Sequence, residues 1–460
     1  MCAASDRAGP TSPSVPSTPT SSPEFKSVII VGAGAFGAAT AYTLASRGIQ
    51  VALVDTAQFP SPRAASHDIA KIVRDDYPDL LYMRMMAKAM PKWRNHALYK
   101  EWYHETGMLR ADPTNFGERS LAAYQILGIK SQSEILSVGS IRKRWNGVLA
   151  TADFEGASSI LYNPATGFAE ADKALAAVVQ AAIDHGVEYT VGEMEKLVLD
   201  ANKECTGVAL KCGQMLTADR VLMCTGAWTE PLLVQSNPDD KNLHANGRLV
   251  AMGALSFYAT LQGAQRHKFE RIPVLKNCLP HVMGESFSYN NYIIGEGMST
   301  LQDGTAKFNC DMCFTNYVNF AAIGKQMSIP PDDGQYNMWT GVRVAQFFQE
   351  KAKNALRGLY GQEVDKTFIK GYRLCWDAVT PTHDFLITSH PYYPGLYVAT
   401  GGSFHGWKFL PVIGDYIADM MQGSLEDEYR LRWSWDRKSG DWPSANPTYS
   451  VVGDLQDWIS

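Results

Sequence analysis

The chain has 460 residues, of which 45% are apolar, about three times a typical domain length and ample for a large core divided between two domains. Its 42 basic and 47 acidic side chains give a net charge of −5 without long like-charge blocks, which excludes an electrostatic footprint for nucleic acid or anionic lipid. No run approaches the roughly 18 apolar residues of a membrane span, so small molecules are the expected partners.

In chain order, the first 26 residues are rich in Ser, Thr and Pro and read as a disordered leader without the apolar region of a secretory signal. Arg7 and Lys26 are too few for a mitochondrial presequence and the chain ends in Trp-Ile-Ser rather than a peroxisomal tail, so the cytoplasm is expected. An apolar strand, Val28 to Val31, then enters Gly32, Gly34 and Gly37, followed by a helix from about Ala35 to Ser46, a stop at Gly48, a second strand Val51 to Val54 and Asp55. Each glycine has a role: Gly32 turns the chain tightly, Gly34 lets backbone approach a pyrophosphate, and Gly37 lets helix and strand pack closely. The pyrophosphate would sit at the positive end of the helix, and Asp55, 23 residues after Gly32, would bind the adenosine ribose. This unit indicates dinucleotide binding without separating FAD from NAD.

Similar signals recur later. A helical stretch through Leu175, Val179 and Ile183 ends at His185 and Gly186, an apolar strand runs from Ala218 to Gly226, and another from Gly395 to Gly402 precedes a helix from about Ile413 to Met421. The expected fold is α/β: a Rossmann-type FAD-binding domain, glutathione-reductase-like, from residues 27–99, 164–241 and 371–435. An α+β substrate domain built on an antiparallel sheet is expected from 100–163 and 242–370, including the run at Asn291, with 436–460 as a tail. The eight cysteines, at 2, 205, 212, 224, 278, 310, 313 and 375, are scattered as in a reducing compartment. Cys310 and Cys313 form one CxxC pair without a second pair or histidines nearby, so no metal is expected.

The segments Ala65 to Arg74, Tyr372 to Ile387 and Gly401 to Pro411 resemble those of the monomeric sarcosine oxidase and fungal fructosyl amino acid oxidase (amadoriase) family, a likeness extending from about Ser27 to Trp435. It implies an FAD-dependent oxidase that converts the carbon–nitrogen bond of an N-substituted amino acid or related secondary amine to an imine, with oxygen reduced to hydrogen peroxide. By the same resemblance Cys375 matches the cysteine bonded through sulfur to the flavin, which would raise the flavin potential and fix the ring. Lys408 and Arg74 match residues that hold a substrate carboxylate, and two converging cations would orient it where water is excluded. Lys71 matches a basic residue on the flavin face and Lys307 the lysine that activates oxygen, where a fixed ammonium stabilises the anion formed as oxygen is reduced.

The cofactor contacts implied are Gly32, Gly34, Ala35, Phe36, Gly37, Asp55, Ser66, His67, Lys71, Cys375, Gly402 and Lys408. His67 and His405 are auxiliary acid–base or hydrogen-bonding candidates, and Trp102, Tyr103, Trp339 and Trp376 are candidates for pocket walls. A glutamate that fructosyl oxidases carry shortly after the lysine is replaced here by Cys310, Asp311 and Met312, a departure from a fructosyl substrate. Sarcosine, pipecolate, saccharopine-like conjugates, fructosyl amino acids and N-alkylated intermediates of a fungal specialised pathway stay open as substrates, with oxygen as second substrate and a monomer expected. A flavin dehydrogenase, an NAD-dependent reductase and a non-catalytic flavoprotein are the alternatives.

Overall fold

The computed structural model describes residues 24–279, 293–331, 345–437 and 451–459; Trp339 and most of the leader and tail segments lie outside them. Strand Ser27–Val31 forms because Val28, Ile29 and Ile30 are covered on both faces, the setting in which an uninterrupted apolar run is a parallel central strand. On one side it pairs with Gln50–Asp55, which pairs with Glu188–Val191; on the other lie Arg220–Met223 and Leu396–Thr400, all parallel, with Leu386–Ser389 antiparallel at the edge. Helix Ala35–Ser46 packs on this sheet beside Ala171–Asp184 and Leu410–Met421.

Two glycines make the first crossover feasible. Gly32 has φ +101°, and a Cβ there would lie 2.4 Å from the Cys224 carbonyl oxygen; φ in this region is costly for other residues. A Cβ on Gly37 would lie 1.8 Å from the Gly32 carbonyl oxygen, so helix and turn approach each other only without a side chain.

A second core lies against a nine-stranded sheet with the order Ile369–Val379, Val250–Thr260, Thr305–Thr315, Ile293–Gly297, Val274–Leu279, Met108–Asp112, Ser159–Asn163 and Glu134–Ile135, with Val451–Asp454 pairing Thr305–Thr315. The sheet is antiparallel except where Val274–Leu279 pairs Met108–Asp112 and where Val451–Asp454 joins. Helix Gln346–Tyr360 covers it, burying Phe348, Ala352, Leu356 and Leu359.

Three boundaries differ from those expected. Phe25, within the leader, is buried in the core while Lys26 and Ser27 donate backbone hydrogen bonds to Asp219. Residues 371–379, grouped with the cofactor segments, extend the nine-stranded sheet as part of Ile369–Val379, because long-range pairing with Val250–Thr260 decides their place. Residues 451–459, within the tail, add a strand and a short helix to the same sheet. Among the described residues no helix is long and apolar enough to cross a membrane.

Candidate active site

The two sheets meet at a cavity of about 300 Å³ whose wall includes Gly32, Gly34, Ala35, Phe36 and Asp55. The helix that begins at Ala35 has no acidic residue in its first turn and no side-chain cap, so its own sequence leaves its positive end open to an anion. The Ala35 amide donates to Ser66 Oγ at 2.9 Å, and Ser66 Oγ is the nearest atom to a Cβ built on Gly34, at 3.3 Å. Asp55 Oδ2 accepts from the Ala33 amide at 2.7 Å, which fixes the carboxylate beside the glycine turn. This combination of bare backbone, helix N-terminus and strand-end carboxylate fits a dinucleotide.

The loop after the second strand carries a charge cluster centred on Asp68. Its Oδ2 lies 2.6 Å from Lys307 Nζ and 3.7 Å from both Lys71 Nζ and Arg373 Nη1, while Oδ1 accepts from Tyr258 Oη at 3.0 Å. Burial alone would raise this carboxyl, but Lys307, Lys71 and Arg373 together hold it well below the carboxylate range. Lys307 also donates to the Ala70 carbonyl at 2.8 Å, which fixes it, and both lysines line the cavity.

A second cluster is built on Lys408. Nζ donates to Tyr77 Oη at 3.0 Å and to the His405 carbonyl at 2.9 Å; among the described residues no carboxylate pairs with it. His405 Nε2 lies 2.8 Å from the His383 carbonyl and must carry the proton, so Nδ1 accepts from Tyr77 Oη at 3.1 Å. The result is a directed chain, Lys408 to Tyr77 to His405 to a carbonyl. Burial and the neighbouring Lys408 push the His405 imidazole well below its ordinary value, and burial with Arg74 does the same to Lys408. Arg74 stands 4.5 Å over the Tyr77 ring and bonds to Asp76. Tyr77 thus touches both cations.

Cys375, on the strand beside Ala254, lines the cavity with its sulfur 3.8 Å from the Ala65 carbonyl oxygen. Gly402 lines it too, backed by Asp377, whose carboxylate accepts from the Phe404 and Ala378 amides. His67 is half-buried and stands apart from the lining residues, its Nδ1 buried without a hydrogen-bond partner; Ser66 faces the cavity instead. Gly37 is likewise a packing residue. Of the candidate aromatics, Trp376 lines the cavity, whereas Trp102 lies by Lys173 and Tyr103 packs near Trp93.

Sequence reasoning missed a polar row across the large sheet. Arg110, Lys276, Glu296, Asn309, Ser256 and Arg373 are successive cross-strand partners on six adjacent strands, and cross-strand partners project to one face. Lys276 Nζ is 2.5 Å from Glu296 Oε1, Asn309 Nδ2 donates to Glu296 Oε2 at 2.7 Å, and Ser256 Oγ donates to Asn309 Oδ1 at 2.8 Å. These four line the cavity. Charges inside the apolar runs at 274–279 and 293–297 were the available signal.

A family description, FAD dependent oxidoreductase (DAO), matches residues 27–420, and the chain belongs to that family: it is an FAD-dependent oxidoreductase, with FAD rather than NAD as its dinucleotide. Among characterised proteins it is similar to L-saccharopine oxidase of Schizosaccharomyces pombe, 25% identical over 89% of this chain and 93% of the relative. It is also similar to a Bacillus monomeric sarcosine oxidase, 23% identical over 85% and 92% of the two chains. The deglycating fructosamine oxidase of Aspergillus fumigatus (Amadoriase II) superposes with a TM-score of 0.75 at 24% identity, covering 95% of this chain and 97% of that structure, a likeness of fold.

Proposed function

We propose that this FAD-dependent oxidoreductase is an oxidase of N-substituted amino acids or related secondary amines. The carbon–nitrogen bond is oxidised to an imine and the two electrons pass to oxygen, giving hydrogen peroxide. The carrying observation is Lys408: a buried amine on the cavity wall, held by a tyrosine hydroxyl and a carbonyl and left without a carboxylate among the described residues. A substrate carboxylate supplies that missing charge, and a charge-assisted contact is among the stronger polar interactions. The saccharopine and sarcosine oxidases named above, whose names give N-substituted amino acids as substrates, support the same class.

When bound, FAD supplies the two-electron acceptor. Lys408 and Arg74 hold the substrate carboxylate, and Tyr77, touching both, sets their spacing. His405, neutral and with both nitrogens engaged, positions Tyr77 rather than removing a proton. Lys307, fixed by Asp68 and Ala70, stabilises the anion formed as oxygen is reduced, with Lys71 as a second cation on the same wall. Cys375 holds the flavin covalently. The test is a peroxide assay with a panel of secondary and primary amines; reduction of the flavin without peroxide would make the protein a dehydrogenase, and no reduction by any amine would refute the reading.

A further inference from the structure

Arg373 has no part in that scheme beyond facing Asp68. It lies two residues before Cys375 on strand Ile369–Val379, and residues two apart on a strand project to the same face. Both side chains reach one loop. Arg373 Nη2 donates to the Ala64 carbonyl at 2.9 Å, and Cys375 Sγ lies 3.8 Å from the carbonyl of the next residue, Ala65. Successive carbonyls thus hold guanidinium and sulfur side by side. Arg373 is 3% exposed, and its Nε and Nη1 are buried without a hydrogen-bond partner among the described residues. The 3.7 Å from Nη1 to Asp68 Oδ2 is too long for a hydrogen bond.

Buried donors left unmet are costly, and charge balance at Asp68 does not account for these. Lys307 Nζ already lies 2.6 Å from Asp68 Oδ2, and Tyr258 Oη donates to Oδ1. Burial opposes the charge on Arg373, but the Cys375 sulfur and then Asp68 favour it and hold the guanidinium above its ordinary pKa. We infer that Arg373 stabilises the Cys375 thiolate in the step that attaches the flavin, giving N–H donors to the sulfur as it becomes anionic. The inference rests on the covalent reading of Cys375 above. The thiolate is the attacking form of a cysteine, and an adjacent cation favours it. Lys307 also acts on this sulfur, but its ammonium already has oxygen acceptors at 2.6 and 2.8 Å, whereas two nitrogens of Arg373 have none. In the step itself the S–H proton leaves and the sulfur electron pair forms a bond to the ring methyl carbon. One C–H bond of that methyl breaks with loss of a second proton. The two electrons pass through the ring to oxygen, which takes up two protons and leaves as hydrogen peroxide.

The test uses full-length protein prepared from riboflavin-starved cells. FAD is added in air, samples are acid-precipitated over time, and the flavin retained by the polypeptide is measured beside total bound flavin. The expected result is attachment at least tenfold slower in Arg373→Met and intermediate in Arg373→Lys, with non-covalent FAD still bound by both. Calorimetry with (methylthio)acetate, a thioether with sulfur where the amine would be, checks that the substrate site is intact. Attachment as fast as wild type in either variant would overturn the role of Arg373. Arg373→Lys keeps the charge facing Asp68 and decides the matter where Arg373→Met does not fold; if neither variant folds and binds FAD, Arg373 serves the fold and the inference fails. Flavin that washes out of precipitated wild type would end the covalent reading itself, which separates that failure from one confined to Arg373.

Discussion

Replacing Lys408 by methionine separates substrate anchoring from folding, because the structure shows what each lost hydrogen bond leaves behind. Two bonds from Nζ disappear, to Tyr77 Oη and the His405 carbonyl, yet the Tyr77 hydroxyl still donates to His405 Nδ1, so no buried donor is orphaned. Methionine has similar length and removes a charge that burial already disfavours. The fold and flavin spectrum should therefore persist. A hydrogen bond to a charged group is worth about 1.5–3 kcal/mol, so (methylthio)acetate should bind roughly 10- to 150-fold more weakly. The pH dependence carries a second signature. Burial and Arg74 hold the free Lys408 pKa well below its ordinary value, and an arriving carboxylate favours the ammonium and raises that pKa. Below the free-state pKa no proton is exchanged; above it, binding takes up one proton and weakens by about tenfold per pH unit until the pKa of the complex is reached. Calorimetry in buffers of different ionisation enthalpy counts that proton. An unchanged dissociation constant in the variant, or wild-type binding that strengthens as pH rises, would refute the assignment of Lys408 to the carboxylate.

Lys307→Met should leave anaerobic flavin reduction by amine near normal while slowing reoxidation by about two orders of magnitude, the scale for losing one preorganised charge; stopped-flow absorbance measures each half separately, and equal slowing of both would indicate damage at the flavin site instead. In wild type the yellow colour should stay with the polypeptide after acid precipitation, and Cys375→Ala should release it; flavin that washes out of denatured wild type would end the covalent assignment. Asp68→Asn leaves Lys307, Lys71 and Arg373 without their shared counter-charge and should cost about 3–5 kcal/mol in denaturant unfolding, the scale for breaking a buried pair. Because the folded carboxyl lies below its unfolded value, its contribution is complete above the unfolded pKa and declines as pH falls below about 4; a wild-type–variant difference that stays constant through that range would count against the cluster.

What could be read from sequence was what is written in short stretches of chain. Strand, glycines, helix and Asp55 follow one another within the first crossover, and the structure carries the helix from Ala35 to Ser46 because each part needs only its sequence neighbours. Lys71, Arg74, Cys375 and Lys408 stood out through the family resemblance carried by the compact segments around them, and each lines the cavity. Within those motifs the side facing inward was harder to read. Ser66 reaches the Ala35 amide whereas His67 turns aside, and the buried carboxylate between the lysines is Asp68, a choice set by loop geometry rather than residue type.

The polar row was illegible for a different reason. Arg110, Ser256, Lys276, Glu296, Asn309 and Arg373 are spread over more than half the chain and meet only through the pairing of six strands. A charge inside an apolar strand signals that a partner must exist, since an unpaired buried charge is prohibitive, so Lys276 and Glu296 each implied the other. Register decides where the pair points, and a shift of one residue on either strand would send it to the opposite face. That register is a property of the whole sheet, set at every ladder between Met108–Asp112 and Ile369–Val379. The part of the cavity wall that resists sequence reading is therefore the part gathered from across the sheet, whereas the glycine turn and the residues near Cys375 and Lys408 lie in compact stretches of chain.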